Sequence, residues 1–139
     1  IAIIGIISST TVVTFNRFSS RQNLNIAYDD VKNALSEAKS NSASQVIISC
    51  TENLLGYEVV FNAVNKTYSI NEACSQPLAD PVVKTYKLPS GINFNNNVSP
   101  PSIMFNTLTG GSNGGSVTLT NGTASQNKSI MVESTGIIK

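Results

Sequence analysis

Ile1-Ala2-Ile3-Ile4-Gly5-Ile6-Ile7 opens the chain and decides how the rest is read. No charge follows until Arg17 and no proline until Pro77. From Ile6 to about Ser44 nothing breaks a helix, and an uncapped helical run of that length belongs to a membrane span, a coiled coil or an assembly helix. Leu24, Ala27 or Tyr28, Val31, Leu35 and Ala38 then recur in steps of three and four, which sets them on one stripe. The first half of the helix is apolar nearly all round and the second half is amphipathic, so one helix serves two surroundings.

Ile1 to Val13 is too short to cross a bilayer, which takes about 20 apolar residues. The chain lacks an initiator Met and starts inside the apolar run. The expectation is a processed or shortened form, with upstream residues that complete a span. A cleaved secretory signal fits less well, because the run flows into the helix without a small-residue cleavage site. Ser8-Ser9-Thr10-Thr11 can bond back to the preceding turn, so these hydroxyls need not end the helix. Arg17 and Arg21 lie one turn apart where a span would leave the headgroups, on either a solvated face or a membrane-edge anchor.

Beyond the turn-forming Ser40-Asn41-Ser42-Ala43-Ser44 the period changes. Val46-Ile47-Ile48 reads as a strand, with Leu54-Leu55-Gly56 in or near a turn. Tyr57 to Phe61 and Thr67 to Ile70 flank Asn65-Lys66 as a hairpin. Pro77 and Pro81 bracket a connection to a strand from Val82 to Leu88. Short strands follow at Ile92-Asn93-Phe94 and Ile103-Met104-Phe105, and the glycine-rich 110–115 is the stretch expected to be most flexible. Ser116–Thr120 and Ser129–Glu133 close the pattern, joined by a polar loop at 121–128, before a Ser134-Thr135-Gly136 turn and a short tail. A helix followed by about seven short strands is an α+β layout with an antiparallel sheet.

At 139 residues there is room for one domain. Only 12% of residues are charged, with Asn, Ser and Thr carrying the polarity, and a net charge of +1 gives no general attraction to nucleic acid or acidic membranes. The chain has no His, the commonest general base and metal ligand, and no Ser in a nucleophile-elbow sequence. Asp29 and Asp30 are adjacent on a helix and point about 100° apart, so they cannot clamp one proton or metal. Both are expected to be solvated, with Lys32 or Lys39 as assembly partners. No catalytic residue, cofactor or metal is expected, and the chain is read as a non-enzyme. Asn65, Asn97, Asn121 and Asn127 begin Asn-x-Ser/Thr patterns, which chance supplies in so Asn- and Ser-rich a chain.

The opening Ile-Ala-Ile-Ile-Gly-Ile-Ile resembles the second half of the apolar segment of type IV pilins and type II secretion pseudopilins. In that family a prepilin peptidase cuts before a Phe and leaves a Glu a few residues in; neither lies in this sequence. Asn23-Leu24-Asn25 with Val31, Ala34-Leu35 and Ala38-Lys39 is similar to the H-type minor pseudopilins and their FimT-like relatives. So are Ile103-Met104-Phe105-Asn106 before a Gly-rich turn and Ser129-Ile130-Met131-Val132 before Ser134-Thr135-Gly136. Residues 45–100 carry little of the resemblance.

The resemblance implies a pilin-like fold: residues 1–22 as membrane anchor and later filament core, and 23–139 as a globular head on the amphipathic half-helix. It implies a structural subunit of a type IV pilus-like filament, polymerising through Ile1, Ile3, Ile4, Gly5, Ile6, Ile7, Val12 and Val13. The partners implied are further copies in a helical homopolymer, the inner membrane before assembly, the prepilin peptidase and the pilus assembly machinery. The location implied is an extracellular filament or the cell surface. The alternatives are a minor tip pseudopilin of a type II secretion system and a DNA-binding pilin. In an exported head, Cys50 and Cys74 are best used as a disulfide, which would contribute roughly 3 kcal/mol in the chain-entropy model. DNA-uptake relatives carry a Gly-Arg-x-Arg tail where this chain has Gly136-Ile137-Ile138-Lys139. Lys84, Lys87, Lys128 and Lys139 remain as candidate DNA contacts, and nucleic acid is not the expected partner because phosphate binding takes several converging cations.

Overall fold

The computed structural model describes residues 2–51, 53–75, 81–95, 98, 100–122 and 125–139, with side chains from Phe18 onward. Helix α1 runs from Ala2 to Ala43 without a break. Its buried side chains include Leu24, Ala27, Val31, Leu35 and Ala38, the three-and-four stripe of the sequence, joined by Ala34 and by Ser42 from the cluster read as turn-forming, with Tyr28 half-buried beside them. The helix ends on Gln45, which takes a left-handed φ of 49°. That turn lets the Val46 N–H reach back to the Asn41 carbonyl at 3.2 Å, satisfying a carbonyl the helix end would leave open.

Two antiparallel sheets form the head, where the sequence suggested one. The first has four strands in the order β3-β2-β1-β5: β1 Leu54–Asn62, β2 Thr67–Cys74, β3 Val82–Lys87 and β5 Ser102–Asn106. The second has three in the order β4-β6-β7: β4 Ile92–Phe94, β6 Gly115–Asn121 and β7 Gln126–Val132. Alternation of side chains along each strand sends Tyr57, Val59, Ile70, Ile103 and Phe105 of the first sheet inward. Ile92, Phe94, Val117, Leu119, Ile130 and Val132 of the second meet them over the helix. Phe94 ties the sheets together, edge-on to Phe61 at 5.5 Å and to Tyr68 at 6.3 Å.

The hairpin β1–β2 turns at residues 63–66, with Phe61 opposite Tyr68 as the alternation required. Three expectations fail nearby. Val46-Ile47-Ile48 forms no strand; its side chains are exposed, and the backbone N–H of Ile48 goes to a side chain. Leu54-Leu55-Gly56 begins β1 and is not a turn. The register shifts there, and Gly56 allows the close approach of β5, since a Cβ would lie 2.0 Å from the Phe105 carbonyl oxygen. The glycine-rich 110–115, expected to be loose, is fastened. Ser112 N–H donates to the Ser134 carbonyl at 2.9 Å, and Asn106 N–H to Gly111 at 2.9 Å. The β6–β7 loop is also shorter than the expected 121–128, because both strands extend to pair Asn121 with Gln126. The connection at Pro77 lies outside the described residues.

Candidate assembly surface and the fastenings of the head

Two hydrogen bonds from side chain to backbone clamp α1 to the head. Ser42 Oγ donates to the Phe105 carbonyl at 2.7 Å, and Asn121 Nδ2 donates to the Ser20 carbonyl at 2.7 Å. They are 22 residues apart on the helix, about 33 Å at 1.5 Å per residue. The first buried side chain among the described residues is Leu24. Just outside the buried stripe, Phe18 and Ile26 face solvent at 61% and 51% exposure, so the head leaves apolar surface on the helix uncovered.

Of the assembly residues expected from the sequence, Ile1 lies outside the described residues. Ile3, Ile4, Gly5, Ile6, Ile7, Val12 and Val13 lie in the helical backbone of α1. Among the described residues no helix is long and apolar enough to cross a membrane.

Cys50 and Cys74 are joined as a disulfide, Cα to Cα 5.8 Å. Beside it sits a group that sequence reasoning missed. Glu72, fully buried on β2, accepts the backbone N–H groups of Ile48, of Ser49 at 2.7 Å and of Cys50 at 2.9 Å. The Tyr57 hydroxyl also reaches Glu72, at 3.1 Å, and the Val46 carbonyl at 2.8 Å. Burial alone would raise the Glu72 pKa, but the three N–H donors and the Tyr57 hydroxyl outweigh it and hold the carboxyl below its ordinary value. Burial and the neighbouring carboxylate push Tyr57 up to about 12. The inward alternation Tyr68, Ile70, Glu72 was the available signal, since a carboxylate at a core position must have donors. Cys50, Glu72 and Cys74 bring two sulfurs and a carboxylate oxygen within 4.8 Å of one another. The sulfurs are bonded to each other and the carboxylate is committed to backbone donors, so the trio acts as a clasp on residues 46–50.

Of the four lysines considered for DNA, two are held in ion pairs. Lys84 on β3 pairs with Glu37 of α1, whose other oxygen accepts the Tyr86 hydroxyl at 3.3 Å. Lys139 pairs with Glu133 beside it on the tail. Lys87 is exposed at the end of β3. Lys128, on β7, stands 4.7 Å from the centre of the Tyr28 ring. Asp29 and Asp30 are exposed, and the described acid that pairs from α1 is Glu37. Among the Asn-x-Ser/Thr positions, Asn65 and Asn127 are exposed and Asn121 is buried on Ser20; Asn97 lies outside the described residues.

An open apolar groove of about 750 Å³ lies between residues 45–55 and the end of β5. Ile47, Leu55, Met104 and Leu108 line it together with Asn and Thr side chains, and among the described residues no charged side chain does.

A family model described as type II transport protein GspH matches residues 7–136. No curated protein matches the chain. Among solved structures, the chain is similar to the minor pseudopilin EpsH from the type 2 secretion system of Vibrio cholerae. That likeness has a TM-score of 0.59 at 8% identity and covers 84% of this chain and 94% of that one. At such identity it speaks for the fold: one N-terminal helix on antiparallel sheets.

Proposed function

The chain belongs to the GspH family of type II transport proteins, and from that premise we propose that it is a minor pseudopilin of a type II secretion system. It enters the pseudopilus by packing its N-terminal half-helix among those of neighbouring subunits. Membership of this family favours the secretion reading over a pilus homopolymer, the first expectation from the sequence. The observation that carries the assembly role is the division of α1. Its buried stripe starts at Leu24, while Phe18 and Ile26 stay uncovered on the outer side. In this reading residues 1–22 anchor the subunit in the inner membrane and then join the filament core, and residues 23–139 form the head. Such a contact is head-to-tail and propagates without closing. A subunit leaving lipid gains little from burying Ile3, Ile4, Ile6 and Ile7 again, so close packing and polar pairing must drive the transfer. The role proposed is structural and non-catalytic.

Electron microscopy of sheared filaments, with peptide mass spectrometry of the same fraction, tests the proposal. A minor pseudopilin is scarce in that fraction and cross-links to other pseudopilins, and Ile4→Asp removes the cross-links while the head keeps its disulfide. A fraction dominated by this chain would overturn the minor role in favour of a pilus homopolymer. Normal incorporation of Ile4→Asp would remove the assembly role of the apolar run.

A further inference from the structure

The foot of the head carries a cleft between α1 and the β6–β7 hairpin. Arg21, Leu24 and Asn25 of α1 form one wall and Gln126, Asn127 and Lys128 of β7 the other, around an open volume of about 460 Å³. The walls are held in place, because Asn121 at the end of β6 donates to the Ser20 carbonyl and fixes the hairpin against the helix at this level. Lys128 is further steadied by the Tyr28 ring, which Lys32 approaches from its own side at 5.8 Å. Among the described residues no carboxylate pairs with Arg21 or Lys128; the ion pairs lie at Glu37–Lys84 and Glu133–Lys139. Asp29 is exposed on α1 nearby, and the charge of Asp30 is felt by Tyr68 of the first sheet.

Two cations and three carboxamides around an open cleft recognise an anion with several oxygens. The guanidinium fork of Arg21 suits a phosphoryl group, and Lys128 adds a point charge. We propose that the cleft holds the headgroup of an anionic phospholipid while the subunit waits in the membrane. The inference rests on the reading of α1 as a membrane anchor. The last apolar residue before the first charge is Phe15, and Arg21 lies six positions beyond it, about 9 Å up the helix. The headgroup layer beyond the hydrocarbon is about 5–8 Å deep on each side, so the Arg17 position falls within it and Arg21 just above it, a gap that a long basic side chain can span. A nucleic acid would need a longer row of cations than this cleft offers. When the subunit enters the filament the headgroup is left behind, and the two cations become available to a neighbouring subunit.

The test uses the full chain, isotopically labelled, in neutral detergent micelles titrated with dihexanoyl phosphatidylglycerol. Saturable shifts of the Asn25, Gln126 and Asn127 side-chain amides are expected. Arg21→Gln and Lys128→Gln should each weaken binding about fivefold, the factor for one basic residue near anionic headgroups. Lys66→Gln, in the β1–β2 turn, should leave it unchanged. An absence of saturable shifts overturns the proposal. So does equal affinity for glycerol phosphate, which would mark a site for free phosphate, or displacement of the lipid by an oligonucleotide at the same amides. An unshifted fold in both variants, checked by their remaining resonances, keeps a loss of binding from being a loss of structure. The titration involves no assembly, so a negative result alongside normal cross-linking in filaments overturns the lipid site and leaves the pseudopilin reading intact.

Discussion

Residues 44–51 and residues 107–114 are two irregular stretches of the head, and they are held by opposite means. The first is fastened by side chains from a distance: the Cys50–Cys74 bond and one buried carboxylate, Glu72, that gathers three backbone N–H groups. The second is fastened by its own backbone and short side chains, through Ser112 to Ser134 and Glu133, and Asn113 to Met104 and Ser102. Fastening concentrated in two groups should fail all at once, whereas fastening spread over many neutral bonds should fail in small steps. That difference orders the effects expected from mutation.

Glu72→Ala should cost the most. It leaves the Tyr57 hydroxyl and up to three N–H groups without their acceptor, and a loss of about 2–4 kcal/mol is expected in urea unfolding, since some donors can turn to water. Glu72→Gln should cost clearly less, because an acceptor remains. The same contribution depends on pH. Glu72 is held below its ordinary value, so the folded state keeps its carboxylate where the unfolded chain takes up a proton. The stabilisation is therefore full above the unfolded carboxylate value of about 4.3 and is lost as pH falls through the lower folded value. The gap between wild type and Glu72→Ala should hold steady down to about pH 4.3 and narrow progressively below it; a gap that stays constant well below that pH would show that packing, not charge, explains the loss.

Opening the disulfide comes next. Its cysteines are separated by 24 positions, and closing a loop of that size contributes about 3 kcal/mol in the chain-entropy model. Cys50 is also a Glu72 partner, so the two fastenings act on one segment. The double change Glu72→Ala with Cys50→Ser should cost less than the sum of the two, as expected for neighbouring sites. Additive losses would mean that residues 46–50 are held in two independent pieces.

On the other stretch the strongest single change is Gly136→Ala. Gly136 takes a φ of 80°, and a Cβ there would meet the Gly110 carbonyl oxygen at 2.4 Å. A loss of about 1–3 kcal/mol is expected from the left-handed backbone alone. Amide exchange should quicken at Ser112 and Gly114 but not at Ser49 or Cys50. Equal acceleration at both sites would erase the distinction between the two stretches.

These two stretches also mark where the sequence could and could not be read. The helix stripe from Leu24 to Ala38 and the hairpin of β1 with β2 follow from periods of 3.6 and 2, which local residues carry by themselves. Val46-Ile47-Ile48 carried the β-branched signature of a strand, yet the Ile48 N–H is claimed by a carboxylate more than twenty residues away and the Val46 N–H by the end of the helix. The glycine-rich 110–115 promised looseness because Ser112, the residue that fastens it, finds its partners Ser134 and Glu133 at the far end of the chain. Lys84 and Lys139 looked available for a phosphate until the fold set Glu37 and Glu133 beside them. The foot of the head was half visible: Arg21 stood at the expected headgroup level, but Lys128 reaches it only through the β6–β7 hairpin.

The smallest expected effect lies at Asn113, and it bears on how the head stays separate from its neighbours. β5 is an outer strand of the four-stranded sheet. The Asn113 carboxamide covers its free side much as a peptide group would, accepting from the Met104 N–H at 3.0 Å and donating to the Ser102 carbonyl at 3.1 Å. Both bonds are exposed to water, so Asn113→Ala should cost only about 1 kcal/mol. Its larger consequence is the bare edge it leaves, because an open strand invites pairing with another chain. Light scattering of the variant at rising concentration should show self-association that the parent lacks, with Tm lowered by only a few degrees. If the variant stays as dispersed as the parent, then the backbone of residues 111–113, which meets Met104, Phe105 and Asn106, is enough to close that edge.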